Sequence, residues 1–276
     1  MPEPAQPKVL VCDVDGTLLD PAGRLSEPNA DAVATLLASG VHVVLASGRI
    51  LAGLRGLCQQ LGLTGPQIAM HGALVATPAG GIVFELPLSK DDVLAHLEFA
   101  RSVRVPAVLC YAERLVAERL EPEVEAAFLP YDEPMPEIHP DLESLAGTRP
   151  LKTCLCLDGT RYDEVLRAAE ARFGRRYTAT SANEREVELL RPEATKGAAA
   201  RRVAASLGVS MAEVGAIGDG PNDVELFKAA AISAALANAG LAVQSAASFV
   251  APPNDRDGAA EAIARMFPTL FASRRV

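Results

Sequence analysis

The chain is 276 residues long, 49% apolar and 22% charged, with a formal net charge of −9 and an isoelectric point near 5.1. That length builds one large domain or two modest ones, and the composition is that of an ordinary globular protein, not a disordered one. The acidic balance disfavours nucleic-acid backbones and anionic lipid surfaces as partners, and the arginine pairs Arg175/Arg176 and Arg201/Arg202 read as solvated faces.

The N-terminal Met-Pro-Glu-Pro-Ala-Gln-Pro is neither basic nor apolar, so it does not read as a secretory leader. Residues 8–12 form a short run that ends at Asp13, as a buried parallel strand does. Residues 27–39 carry Ala30, Val33, Leu36 and Leu37 at helical spacing and close on Gly40. Residues 41–46 read as a strand, 51–61 as a helix and 67–70 as a strand. Such alternation predicts a parallel sheet with right-handed crossovers.

The middle of the chain has another rhythm. Residues 82–87 and 105–111 read as strands, 90–101 as a helix and 130–140 as a proline-rich loop. Residues 151–157, 161–173, 175–180 and 186–190 then read as strand, helix, strand and strand. An α/β unit at 86–189 is therefore expected, inserted into a domain formed by 1–85 and 190–276. The first pattern returns with helices at 195–207, 223–230 and 258–266 and strands at 213–217 and 231–236.

The stretch 229–254 carries no charge, but Ser233, Asn238, Gly240, Gln244 and Pro252-Pro253 interrupt it. A buried strand and an alanine-rich helix fit it better than a membrane span, and a cytoplasmic protein is expected. The five cysteines, odd in number and scattered, do not form a disulfide framework. Cys154 and Cys156 share one strand face and read as small buried hydrophobes.

Four motifs carry chemistry, and all fall at strand ends or helix starts, where open α/β sheets bind ligands. Asp13-Val14-Asp15-Gly16-Thr17 offers two carboxylates at one turn, suited to a nucleophile and a proton carrier, although strand-to-turn boundaries often hold Asp and Gly without function. Ser47-Gly48-Arg49 offers a hydroxyl and free amides for a phosphate oxygen, or a plain helix cap. Lys196-Gly197 puts a cation in a first helical turn, against the macrodipole, a conflict that a bound phosphate resolves; a solvated lysine is the bland alternative. Gly218-Asp219-Gly220-Pro221-Asn222-Asp223 gathers hard oxygen donors of the kind that hold magnesium.

Taken in order, these motifs resemble the haloacid dehalogenase superfamily. The Asp-Gly-Thr-Leu-Leu opening, Ala-Ser-Gly-Arg and Gly-Asp-Gly-Pro-Asn-Asp are similar to its Cof-type, sugar-phosphatase-like branch with a class II, B-subtype α/β cap. Ala237-Asn238-Ala239, Asn254-Asp255 and Asp257-Gly258 look like that branch's C-terminal signature. The resemblance implies an α/β fold: a Rossmann-like parallel-sheet core, with the inserted α/β cap closing over the site. It implies Asp13 as nucleophile, Asp15 as acid/base, and Ser47 and Lys196 as further catalytic groups. Mg2+ would rest on Asp13, the Asp15 backbone carbonyl and Asp219, with Asp223 in support. Ser47, Gly48, Lys196, Asn222 and the Val14 backbone would hold the phosphoryl group.

The implied activity is magnesium-dependent hydrolysis of a small phosphorylated metabolite, such as a sugar phosphate or pyridoxal phosphate, through an aspartyl-phosphate. A phosphomutase, a non-catalytic phospho-ligand module and a receiver-like domain are the alternatives. His71-Gly72-Ala73 departs from the branch, where asparagine often precedes the glycine, and His71 reads as a strand-end residue. Asn183, Glu184 and Arg185 are candidates to face the substrate from the cap.

Overall fold

Val9–Asp13 (β1) is apolar at every position but its last, and all five residues are buried. A strand with no solvent face belongs in the middle of a covered sheet. In the computed structural model, which describes residues 6–174, 178–180 and 184–272 (with backbone alone at 178–180), β1 occupies that place. It pairs in parallel with His42–Ala46 (β2) on one side and Val214–Gly218 (β12) on the other. Ile232–Leu236 (β13) and Phe249–Ala251 (β14) extend the sheet beyond β12, again in parallel. Beyond β2 come Gln67–Ala69 (β3), parallel, then Leu74–Ala76 (β4) and Ile82–Glu85 (β5), both antiparallel. Only the last two pairings are thus antiparallel, and β4 is the one strand that runs against the others. β4 escapes sequence reading because three residues are too few to show a period.

Alternation along β1 fills two layers. Leu10 and Cys12 pack with Glu27–Ala38 (α1), Leu51–Leu61 (α2) and Gly258–Met266 (α9). Val9 and Val11 face the other way, onto Lys196–Ser206 (α6), Val224–Ala229 (α7) and Leu241–Ala246 (α8). The chain runs one way from β1 to β2 and the other way from β12 to β13. A crevice therefore opens at the carboxyl ends of β1 and β12. Asn29 stitches its rim: Nδ2 donates to Leu18 O at 2.9 Å, and Oδ1 accepts from Ala260 N at 2.9 Å.

A second sheet has the order β10-β11-β9-β6-β7-β8. Its strands are Ala107–Cys110 (β6), Leu115–Ala117 (β7), Glu137–Ile138 (β8), Lys152–Cys156 (β9), Thr178–Thr180 (β10) and Glu186–Leu190 (β11). Lys90–Val103 (α3) and Tyr162–Phe173 (α5) cover one face, where Phe99, Val165 and Phe173 meet Leu155, Val187 and Leu189. The period of two turns Lys152, Cys154, Cys156, Glu186 and Glu188 to the opposite face, towards the first sheet and Pro122–Phe128 (α4). The chain crosses between sheets near Leu86, which donates to Ala73 O, and Leu88, which donates to Pro150 O, both at 2.8 Å.

Residues 130–140 are not wholly a loop. They begin in a turn, Leu129–Tyr131, and contain β8, which runs parallel to β7. Four prolines mask that strand in the sequence, and only the free edge of β7 supplies its hydrogen bonds. The expected strand at 175–180 is described over 178–180, and 175–177 and Asn183 lie outside the described residues. All five cysteines are free and buried. Among the described residues, no helix is long and apolar enough to cross a membrane.

Candidate active site

β1 delivers Asp13, which is 7% exposed, to the crevice. The chain then turns at Gly16, whose φ of +79° favours glycine and whose Cβ, if present, would lie 2.4 Å from Asp219 Oδ2. Asp219, just past β12, is held from two sides. Thr17 Oγ1 donates to its Oδ1 at 2.6 Å, and Asn238 Nδ2 donates to its Oδ2 at 3.1 Å and to Gly16 O at 2.8 Å.

Lys196 opens α6 behind the cap made by Thr195, whose Oγ1 accepts from Ala198 N at 3.1 Å. The side chain is fully buried, with Nζ 2.6 Å from Asp13 Oδ1 and 2.8 Å from Asp223 Oδ1. Two carboxylates, and not a phosphate alone, resolve its placement at a helix start. Asp223 Oδ2 also accepts from the amides of Asp219 at 3.1 Å and Gly220 at 2.9 Å, so Asp223 shapes the loop as well as holding the lysine.

Asp13, Asp219 and Asp223 each place a carboxylate oxygen within 4.8 Å of the others. Three carboxylates against one ammonium leave the centre short of positive charge. Burial, and then the Asp223 charge, push the Asp13 carboxyl well above the usual carboxylate range; burial also raises Asp219. Burial opposes the Lys196 charge, but Asp13 and Asp223 outweigh it and raise its pKa. A divalent cation among these oxygens relieves the excess, and an all-oxygen donor set suits magnesium. The residues present therefore fit that ion.

The Asp15 side chain stands apart from this cluster; the sequence expectation places only the Asp15 backbone carbonyl on the metal. Arg49 binds its carboxylate at both oxygens, Nε to Oδ2 at 2.9 Å and Nη2 to Oδ1 at 2.5 Å. Both side-chain oxygens of Asp15 are thus turned to the guanidinium fork, and its backbone carbonyl takes no part in that pairing. Val14 is buried between the two aspartates.

Ser47, also buried, is not the cap of α2. Its Oγ accepts from Arg49 N at 3.2 Å, while the amide of Ile50 at the helix entrance donates to Glu133 Oε1 at 2.6 Å. Glu133 comes from the second-sheet unit, so a carboxylate 83 residues away does what a local serine was expected to do.

His71 is more than a strand-end residue. Its ring is buried between the sheets, with Nε2 2.5 Å from Glu188 Oε2 and Nδ1 3.0 Å from Asn222 Nδ2. A Cβ on Gly48 would lie 2.6 Å from His71 Nε2, so only glycine lets the ring settle on that backbone. Lys152 Nζ donates to Gly48 O at 2.9 Å and to Glu188 Oε1.

The sequence reading misses Lys152, Glu133, Glu186 and Glu188. Lys152, Glu186 and Glu188 did carry a signal: they are charged residues at alternate positions of strands that are otherwise buried and apolar. Glu184 and Arg185, candidates to face the substrate from the cap, are exposed. Between the sheets, the space bounded by Asp15, Arg49, Tyr131, Glu133, Lys152 and Glu186 is about 20 Å³, room for roughly one water molecule.

Burial, and then the charge of Glu188, raise the Glu186 carboxyl to about 8. A carboxyl raised on folding binds more protons in the folded state. The stability it allows is therefore complete below its unfolded value near 4.5 and falls as pH rises towards 8. Glu186→Gln mimics the protonated form. The wild-type melting temperature should fall across that window relative to the variant's, and parallel profiles for the two proteins would show that Glu186 does not titrate there.

The fold and site together define a Rossmann-like α/β core whose acidic, lysine-bearing crevice lies under a second α/β unit. The sequence profile of the haloacid dehalogenase-like hydrolases matches residues 10–263, and the chain belongs to that family. It is 30% identical to the Arabidopsis thaliana protein named endoribonuclease YBEY, chloroplastic, over 93% of this chain but only 46% of that one. The chain thus spans less than half of that relative, whose name carries no activity across. It is 27% identical to the phosphoglycolate phosphatase of Methanoculleus marisnigri, over 96% of this chain and 99% of that one. The crystal structure of a haloacid dehalogenase-like hydrolase from Bacteroides thetaiotaomicron superposes with a TM-score of 0.84 at 27% identity, covering 95% of this chain and all of that one.

Proposed function

We propose that this chain hydrolyses small phosphate monoesters with the help of magnesium, by way of a phosphoryl group carried on Asp13. The observation that carries the reading is the buried Lys196 ammonium, 2.6 Å from Asp13 and 2.8 Å from Asp223 and facing a three-carboxylate cluster. Phosphoryl transfer asks chiefly for alignment and for positive charge at the phosphoryl oxygens. Magnesium, when bound, supplies part of that charge and lets an anionic nucleophile approach an anionic ester.

Lys196 fixes the Asp13 carboxylate and offers its charge to the incoming phosphoryl group. Ser47 Oγ, the Gly48 amide, the Val14 backbone and Asn222 hold the remaining oxygens. An Asp13 carboxylate oxygen attacks phosphorus, and the bond from phosphorus to the leaving oxygen breaks. Asp15 turns from Arg49, takes up a proton from solvent and gives it to that oxygen. The same carboxylate then takes a proton from water, the water oxygen attacks the Asp13-bound phosphorus, and inorganic phosphate leaves with Asp13 restored.

Residues 86–189 act as a cap in this reading. The space beside Asp15 admits about one water, so an ester enters only when the cap lifts and reacts when it returns. Sugar phosphates and pyridoxal phosphate are the first substrates to test, with 2-phosphoglycolate added because of the Methanoculleus relative's name.

A screen of such monoesters with magnesium should release inorganic phosphate from at least one, and EDTA should abolish the release. Magnesium alone should also raise the melting temperature, because it binds a cluster that exists only in the folded chain. Absence of phosphate release from every monoester would sink the proposal.

A further inference from the structure

Lys152 and Glu188 are buried on the face of the second sheet that meets the first, and together they touch two loops of the catalytic core. An ion pair of this kind does not explain itself by stability, since apolar residues of equal volume usually serve as well or better. What the pair reaches is more informative.

Lys152 Nζ donates to Gly48 O at 2.9 Å. That carbonyl shares its peptide plane with the amide of Arg49, which donates to Ser47 Oγ at 3.2 Å. Holding the carbonyl therefore holds the plane, and the plane aims the serine oxygen. On the other branch Glu188 Oε2 meets His71 Nε2 at 2.5 Å, and Asn222 Nδ2 donates to His71 Nδ1 at 3.0 Å. With Nδ1 accepting, the ring proton sits on Nε2 and points at the glutamate. The two branches end on Ser47 and Asn222.

The backbone of His71 supports the same conclusion. Its φ is +56°, a left-handed conformation that costs a non-glycine residue and persists only where surroundings enforce it. The ring it presents lies so close to Gly48 that no side chain fits there. The charges are held as well: burial works against both, yet Glu188 raises Lys152, and His71 with Lys152 brings Glu188 down to about 2.

We propose that Lys152 and Glu188 are positioning residues through which the seated cap orders the phosphate cradle, Lys152 by way of the Gly48–Arg49 peptide to Ser47 and Glu188 by way of His71 to Asn222. The inference rests on the phosphatase reading above, which places Ser47 and Asn222 on the phosphoryl group. Cap closure and phosphate binding then become one event: with the cap lifted, Gly48 O and His71 lose these partners, and both branches slacken.

The test uses the full chain and the double variant Lys152→Met/Glu188→Leu, which replaces the pair with apolar side chains of similar volume. Inorganic phosphate, titrated calorimetrically with magnesium present, has no leaving group and reports on the cradle alone. Methyl phosphate and a hexose 6-phosphate then compare a leaving group too small to reach the second sheet with one that reaches it. Phosphate affinity and kcat should each fall on the order of 10- to 100-fold, by the same factor on both esters, with the melting temperature little changed.

A loss confined to the hexose ester, with phosphate affinity intact, would show that the pair reads the leaving group and overturn the relay. So would a variant indistinguishable from wild type. If the double variant does not fold, His71→Gln cuts the Asn222 branch from the core side, and unchanged phosphate affinity there overturns the relay equally. Wild-type protein that neither binds phosphate nor hydrolyses any monoester would remove the underlying reading and the relay with it. Wild-type protein that does both, matched by the variants, would remove the relay alone.

Discussion

Asp13→Asn should abolish turnover, by on the order of 10⁴-fold or more, while leaving the protein folded. The amide cannot attack phosphorus as a carboxylate does, yet it keeps an oxygen that accepts from Lys196, which sits 2.6 Å away. Lys196 also retains Asp223 at 2.8 Å, so no buried charge is stranded. One negative charge is removed from a cluster that has an excess, and burial with the Asp223 charge already pushes Asp13 towards its neutral form. The melting temperature should therefore hold or rise. Steady-state kinetics and calorimetry on one purified sample check both halves, and a variant that still turns over refutes Asp13 as nucleophile.

Lys196→Met should have the opposite profile, losing stability and activity together. The methionine fills much of the same space but leaves Asp13 and Asp223 in a buried site without their cation. Removing one partner of a buried ion pair costs about 3–5 kcal/mol, because the remaining charge is neither solvated nor paired. For a chain of this size the melting temperature should drop on the order of 10 °C. The loss should shrink as pH falls, since protonating Asp13, whose carboxyl burial and the Asp223 charge already push up, removes one of the two stranded charges. A variant as stable as wild type at neutral pH would mean that the aspartates are neutral in the folded protein and that Lys196 is not their counter-ion.

Much of this centre was legible as sequence. Asp13 follows a strand whose apolar run announces burial, and Asp219 follows a second one. Both therefore had to emerge at the carboxyl edge of one sheet, where α/β proteins place their chemistry. Arg49 and Asn238 stood inside motifs that sequence reading singled out, but their partners were not visible there. Asp15 lies 34 positions from Arg49, and Asp219 lies 19 from Asn238.

Lys152 and Glu188 show how a signal goes unread. Each alternates with apolar residues in a buried strand, a position where a charge is costly unless something answers it. The pattern marks that a partner exists, and only the packing of one sheet against the other says that the partners include Gly48 O and His71.

The sequence by itself therefore determined most of the longer strands and helices and their alternation, and its motifs singled out Asp13, Asp219, Asp223 and Lys196. These depend on local periodicity and on motifs that span a few residues. Tertiary structure alone decided that Arg49 holds Asp15, that Glu133 caps α2 and that His71 bridges the two sheets. Each of those contacts joins segments tens of residues apart, and their geometry follows from how two sheets seat on one another, which no local pattern encodes.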